Sequence, residues 1–258
     1  MPLELVSTYL RLPVFLLVAS RLGGLIMFQP VVGGYAIPPR VRALLVIGLA
    51  ALVTPLVELP PTIAGVGPER LLLAIGGELL LGVLMGLVVR MCFLGLQLGG
   101  QMVAQDAGLA FGQVADPSSG DQQNILSNFY LQLGAVVFLI VGGHRAVVSA
   151  ALDTFETIPL LSPRGLAGGD LTVLVDALTM AGEIAVRVAA PTMITLLLVK
   201  AALGFVSRTV PQFNILTVGF SVKGLAALVL MAISLPAALE AFTEGLELTM
   251  EWIHGLAR

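Results

Sequence analysis

Long, nearly unbroken apolar runs separated by short turn-rich segments dominate this chain. Apolar residues do not alternate with polar ones, so helices are predicted and a membrane β-barrel is rejected. Six helical regions follow. The first runs from about Leu3 to Phe28, interrupted by Arg11, Pro13 and Arg21; after QPVVGGYAIPPR, a second runs from Val41 to about Val57, completing a hairpin. ELPPTIAGVGPER is a loop by its prolines and glycines. The third region, Leu71 to about Gln105, carries only Glu78 and Arg90 as charges. Unbroken, it would reach about 52 Å, well beyond a hydrocarbon core of about 30 Å. It must tilt, bend or leave the bilayer. Gly82 with Gly86, and Gly95 with Gly99, offer two faces of small residues on which a helix of this chain or of a neighbour can approach closely.

At DAGLAFGQVADPSSGDQQN the composition changes sharply, to three acids, three glycines, Pro117 and a single aromatic, Phe111. Gly108, Gly112 and Gly120 permit unusual backbone angles and Pro117 stops a helix, so a mobile segment is expected. The ordinary role of such a segment is a solvated surface loop. A fourth apolar region, Ile125 to about Ile158, is broken at Gly142, Gly143 and His144. The fifth runs from Leu171 to about Ser207 through Pro191, and the sixth from Ile215 to about Ile253 through Pro236. Its last turns are amphipathic: Glu240, Glu244, Glu247 and Glu251 mark one face, Leu239, Phe242, Leu246, Met250 and Ile253 another. An acidic face repels anionic lipid, so this end is expected to meet water or a protein.

Composition turns this pattern into a membrane protein. Hydrophobic residues make up 57% of the 258 and charged residues only 11%, where about 25% is usual in a soluble domain. Twenty-nine such side chains cannot clothe a soluble fold of this size. Lipid must replace water over much of the surface, and the N-terminal run, with Glu4 where a signal peptide wants positive charge, reads as a retained helix. The net charge of −3 with no basic run speaks against nucleic-acid binding.

Catalytic chemistry is thinly represented. His144 and His254 stand far apart and Cys92 has no thiol partner, so neither a metal nor another cofactor is expected. No phosphate loop, dinucleotide fingerprint or nucleophile elbow occurs. The Gly168–Asp170 stretch only weakly resembles an intramembrane aspartyl protease motif, since no second span offers a partner acid. Charges inside apolar runs are Arg21, Glu78, Arg90, Asp176, Glu183, Arg187, Lys200 and Lys223. Each would cost about 2.5–3.5 kcal/mol facing lipid at a helix centre. They should meet protein, water or the interface. Glu183 and Arg187, four apart in the favourable order, are expected to form a buried structural pair rather than an ion relay. A small-solute transporter is the competing class, but the chain has few spans and no matched halves.

One resemblance covers nearly the whole chain. QLGGQMVAQDAGLAFGQVADPSSG followed by VGGHRAVVSAALDTFETIP, with the early PPRVRALLVIGLAALVTP and the late SRTVPQFNILTVGF, resembles the FliR family of the flagellar type III export gate. Residues 189–236 resemble the helical hairpin of the companion subunit FliQ, through Pro191, Gly204, Gln212, Asn214, Thr217, Phe220 and Lys223. The resemblance implies an all-helical, non-enzymatic subunit with a FliP-like part (residues 1–188) and a FliQ-like hairpin with its tail (residues 189–258). It implies FliP-like, FliQ-like and FlhB-like neighbours in the bacterial inner membrane, lipid around them, and unfolded export substrates passing through. It places a pore plug at residues 106–122, with Asp106, Gly108, Phe111, Gly112, Gln113, Asp116, Pro117 and Gly120. It sets the FliQ-like turn and its contacts at Pro211, Gln212, Asn214 and Lys223. Virulence-secretion homologues share the pattern, and the NILTVGF run favours the flagellar branch.

Overall fold

The computed structural model describes residues 2–34, 37–57, 67–109, 124–161, 169–209 and 215–256. They form seven helices: α1 (Pro2–Phe28), α2 (Pro39–Val53), α3 (Pro68–Ala107), α4 (Ile125–Ile140), α5 (Gly143–Thr157), α6 (Gly169–Thr209) and α7 (Ile215–Leu256). Five of the expected regions each correspond to one helix. The fourth is two, because Gly142 adopts the left-handed conformation (φ 79°) and interrupts the helix between Ile140 and Gly143. Only glycine takes that conformation without a Cβ penalty, and the Val141 amide still closes the last turn of α4 on Val137 O at 2.9 Å.

Four helices, α1, α3, α6 and α7, contain segments long and apolar enough to cross a membrane, and the bent α4–α5 pair is a candidate fifth. The 15 residues of α2 reach only about 22 Å. The 40 residues of α3, 41 of α6 and 42 of α7 reach about 60 Å, twice the hydrocarbon thickness. Pro191 and Pro236 lie inside α6 and α7, which continue through them.

The chain divides into two compact units. The first comprises Met1–Met91, Gly142–Ala177 and Leu246–Arg258; the second comprises Cys92–Val141 and Leu178–Gly245. In the first, Leu17, Val18, Leu22 and Leu25 of α1 are buried together with Leu84, Met85, Val88 and Val89 of α3. Their backbones nearly touch. A Cβ on Gly86 would lie 2.8 Å from Leu25 O, and one on Gly82 would collide with Arg21 O. In the second unit, Phe93 packs edge-on against Phe138 (5.0–5.4 Å between centroids, counting both partners) and Phe242. There a Cβ on Gly95 would meet Ala181 O at 2.8 Å, and one on Gly99 would meet Val188 Cβ at 2.7 Å. Both small-residue faces are therefore occupied within the chain, by α1 and by α6.

Candidate functional site

The charges inside apolar helices locate the polar centres of the fold. In the first unit Arg21 is completely buried on α1. Its Nε donates to Glu78 Oε2 on α3 at 2.5 Å. Nη1 donates to Thr154 O at 2.9 Å and to Thr154 Oγ1 at 3.2 Å, and Nη2 donates to Ile158 O at 3.1 Å. The guanidinium carbon lies 4.3 Å from the centre of the Phe155 ring. Thr154 O already accepts from the Ile158 amide at 2.9 Å, so Arg21 adds a second donor there and supplies one to the Ile158 carbonyl at the end of α5, while neutralising Glu78. The Glu78 carboxylate also accepts from the backbone amide of Leu161. Leu161 has a left-handed φ of 67°, strained for a residue with a Cβ. One ion pair thus joins α1 and α3 and fixes how the chain leaves α5.

Sequence reading flags Arg21 and Glu78 as isolated charges but does not pair them, since 57 positions separate them. The usable signal is their opposite sign, each standing in an apolar stretch that must satisfy it.

In the second unit, Asp106 lies in the last turn of α3 and is bonded by Lys200 Nζ of α6. Gly108 follows with φ 84°. Phe111, Gly112, Gln113, Asp116, Pro117 and Gly120 lie outside the described residues, as do Pro211, Gln212 and Asn214. Lys223 is half-buried on α7.

The expected buried Glu183–Arg187 pair is corrected. Arg187 Nη1 donates to Glu244 Oε2 of α7 at 2.7 Å, and both side chains are more than half exposed. Glu183 is exposed as well. The facing helix supplies the carboxylate that the guanidinium takes, a partner that spacing along α6 does not reveal. The amphipathic end of α7 matches its expected faces: Glu240, Glu244, Glu247 and Glu251 are exposed, while Phe242, Leu246 and Ile253 are buried. His254 Nε2 lies 3.4 Å from Asp153 Oδ2 of α5.

The sequence pattern of bacterial export proteins, family 1, matches residues 12–249. The chain belongs to that family, the FliR family. The flagellar biosynthetic protein FliR of Caulobacter vibrioides is 27% identical over 92% of this chain and 94% of its own. FliR of Escherichia coli is 28% identical over 84% and 82%. The surface presentation of antigens protein SpaR of Shigella flexneri is 24% identical over 90% of each chain. As a FliR-family protein the chain is a membrane-spanning, non-enzymatic component of the type III export gate.

Proposed function

We propose that this chain is the FliR-type subunit of a flagellar export gate, forming and closing the pore for unfolded flagellar proteins beside FliP-like, FliQ-like and FlhB-like subunits. In this reading residues 1–188 act as the FliP-like part and residues 189–258 as the FliQ-like hairpin and tail. The carrying observation is end-to-end similarity to FliR chains in a molecule whose α6 and α7 leave Ile194, Leu197, Leu198, Phe205, Leu225 and Ile233 more than 60% exposed. Helices of about 60 Å cannot clothe that surface in lipid alone, so neighbouring helices are the natural cover.

Residues 106–122 line or plug the resting pore. Irregular backbone at membrane depth is tolerated only where protein buries it or water lines it, and Phe111 is the side chain suited to fill a constriction. Co-purification from membranes tests the subunit assignment: the chain should carry FliP-like and FliQ-like chains with it, and a monodisperse, protease-resistant monomer would overturn the assignment. Deleting residues 108–120 should leave assembly intact and raise small-solute leak. An assembled deletion variant with a membrane as tight as wild type would remove the plug.

A further inference from the structure

Asp106 sits where an acid is electrostatically unwelcome, in the last turn of a 40-residue helix whose C-terminal end is negative. Lys200 is equally out of place on an apolar stretch of α6 beside exposed Leu197 and Leu198. The two satisfy each other across 94 positions of chain, with the Lys200 side chain 37% and the Asp106 side chain 19% exposed.

Two further contacts fix the same point. The Leu109 amide donates back to Ala104 O at 2.9 Å and the Gly108 amide to Gln105 O at 3.1 Å. With Gly108 left-handed at φ 84°, this is the paired-bond helix ending that sets the direction of the departing chain. Just past it, the Leu109 side chain approaches Gly224 of α7, 3.6 Å from where a Cβ would stand. The exit from α3 is therefore tied to α6 by an ion pair, with α7 alongside at Gly224.

We infer that Lys200 is a positioning residue: through Asp106 it aims the backbone at Ala107–Leu109 and so sets where the 106–122 segment begins, an inference whose functional arm rests on the plug reading above. The C-terminal hairpin, by this geometry, controls the origin of a segment encoded far upstream of it.

The full-length chain, produced in membranes with its natural neighbours, tests this with cysteines at Leu109→Cys and Gly224→Cys and a short thiol-to-thiol crosslinker. Cys92, the native cysteine, is buried, and the contact at Gly224 leaves room for a side chain. Crosslink yield should be high with Asp106 and Lys200 intact. Lys200→Glu should lower it about fivefold, the equilibrium worth of one partly exposed ion pair, and the swapped pair Asp106→Lys with Lys200→Asp should restore it. Should Lys200→Glu fail to accumulate, neutral Lys200→Gln carries the comparison, with a smaller drop expected. An unchanged yield in an accumulating variant, or no recovery on swapping, overturns the inference. Small-solute leak separates the two readings: lower crosslinking with no added leak leaves the positioning standing and removes the plug.

Discussion

Arg21–Glu78 and Arg187–Glu244 are ion pairs of nearly equal length, 2.5 and 2.7 Å, in opposite surroundings. The first has side chains 0% and 6% exposed, and the second 58% and 55%. Around the first, α1 and α3 close to backbone contact, and 61% of the apolar stretch of α3 is buried. In the stretch of α6 that carries the second, only 22% is buried. A distance alone therefore says little about what an ion pair does. The buried pair is a structural joint, because each desolvated charge is neutralised by the other. The exposed one lies on a surface that only neighbours or water can complete.

Removing one member of the buried pair is the sharpest way to break this comparison. Arg21→Ala leaves Glu78 buried without its cation and withdraws the guanidinium donors from the Thr154 and Ile158 carbonyls. A loss of about 3–5 kcal/mol is expected, enough to abolish accumulation of the chain in membranes. Glu78→Ala should be similarly severe. Arg21→Met with Glu78→Leu should recover part of the loss, since replacing both charges by apolar groups is often neutral. Recovery is read as membrane-resident protein by immunoblot. Normal accumulation of Arg21→Ala would show that the pair is not a joint.

Packing glycines come next. Gly95→Val would force a branched side chain against the Ala181 carbonyl and Ile184, where even a Cβ falls at 2.8 Å. Overpacking of this kind costs about 1–3 kcal/mol. Gly182, on α6 itself, has nothing within 4 Å of an added Cβ. Gly182→Val should leave the isolated chain as stable as wild type in detergent, while Gly95→Val lowers its thermal midpoint. If Gly182→Val reduces co-purification of neighbouring subunits without changing that midpoint, the open face of α6 is an assembly surface. Equal thermal losses in both variants would erase the distinction.

Most of the helices were legible because hydrophobic runs of this length have no other solution in a membrane. The break at Gly142 is legible because two adjacent glycines interrupt an apolar run. Charges in apolar helices announced that they needed partners. Which partner they took was decided by helix crossings 57 and 94 positions apart, for which local spacing carries no information. That is why Glu183 was paired with Arg187 from the i,i+4 rule while Glu244, on the facing helix, holds the arginine. The acidic face of α7, a purely local property, was read correctly.

The smallest expected effect belongs to Arg187, and it sharpens the comparison most. In water an exposed pair is worth about 0–1 kcal/mol and weakens with salt. Against hydrocarbon, each charge would cost about 2.5–3.5 kcal/mol, and pairing would matter far more. Arg187→Gln should therefore lower the stability of the isolated, detergent-solubilised chain by less than about 1 kcal/mol, with the difference vanishing at high salt. The same substitution leaves Glu244 beside Glu240 and Glu247 without its cation, so that face of α7 gains negative charge. Chemical denaturation of wild type, Arg187→Gln and Arg187→Gln with Glu244→Gln, at low and high salt, reads both terms. A small, salt-sensitive loss relieved by the double substitution places the pair in a hydrated or protein-lined setting. A large, salt-independent loss would place it against hydrocarbon and make it the counterpart of Arg21 rather than its opposite.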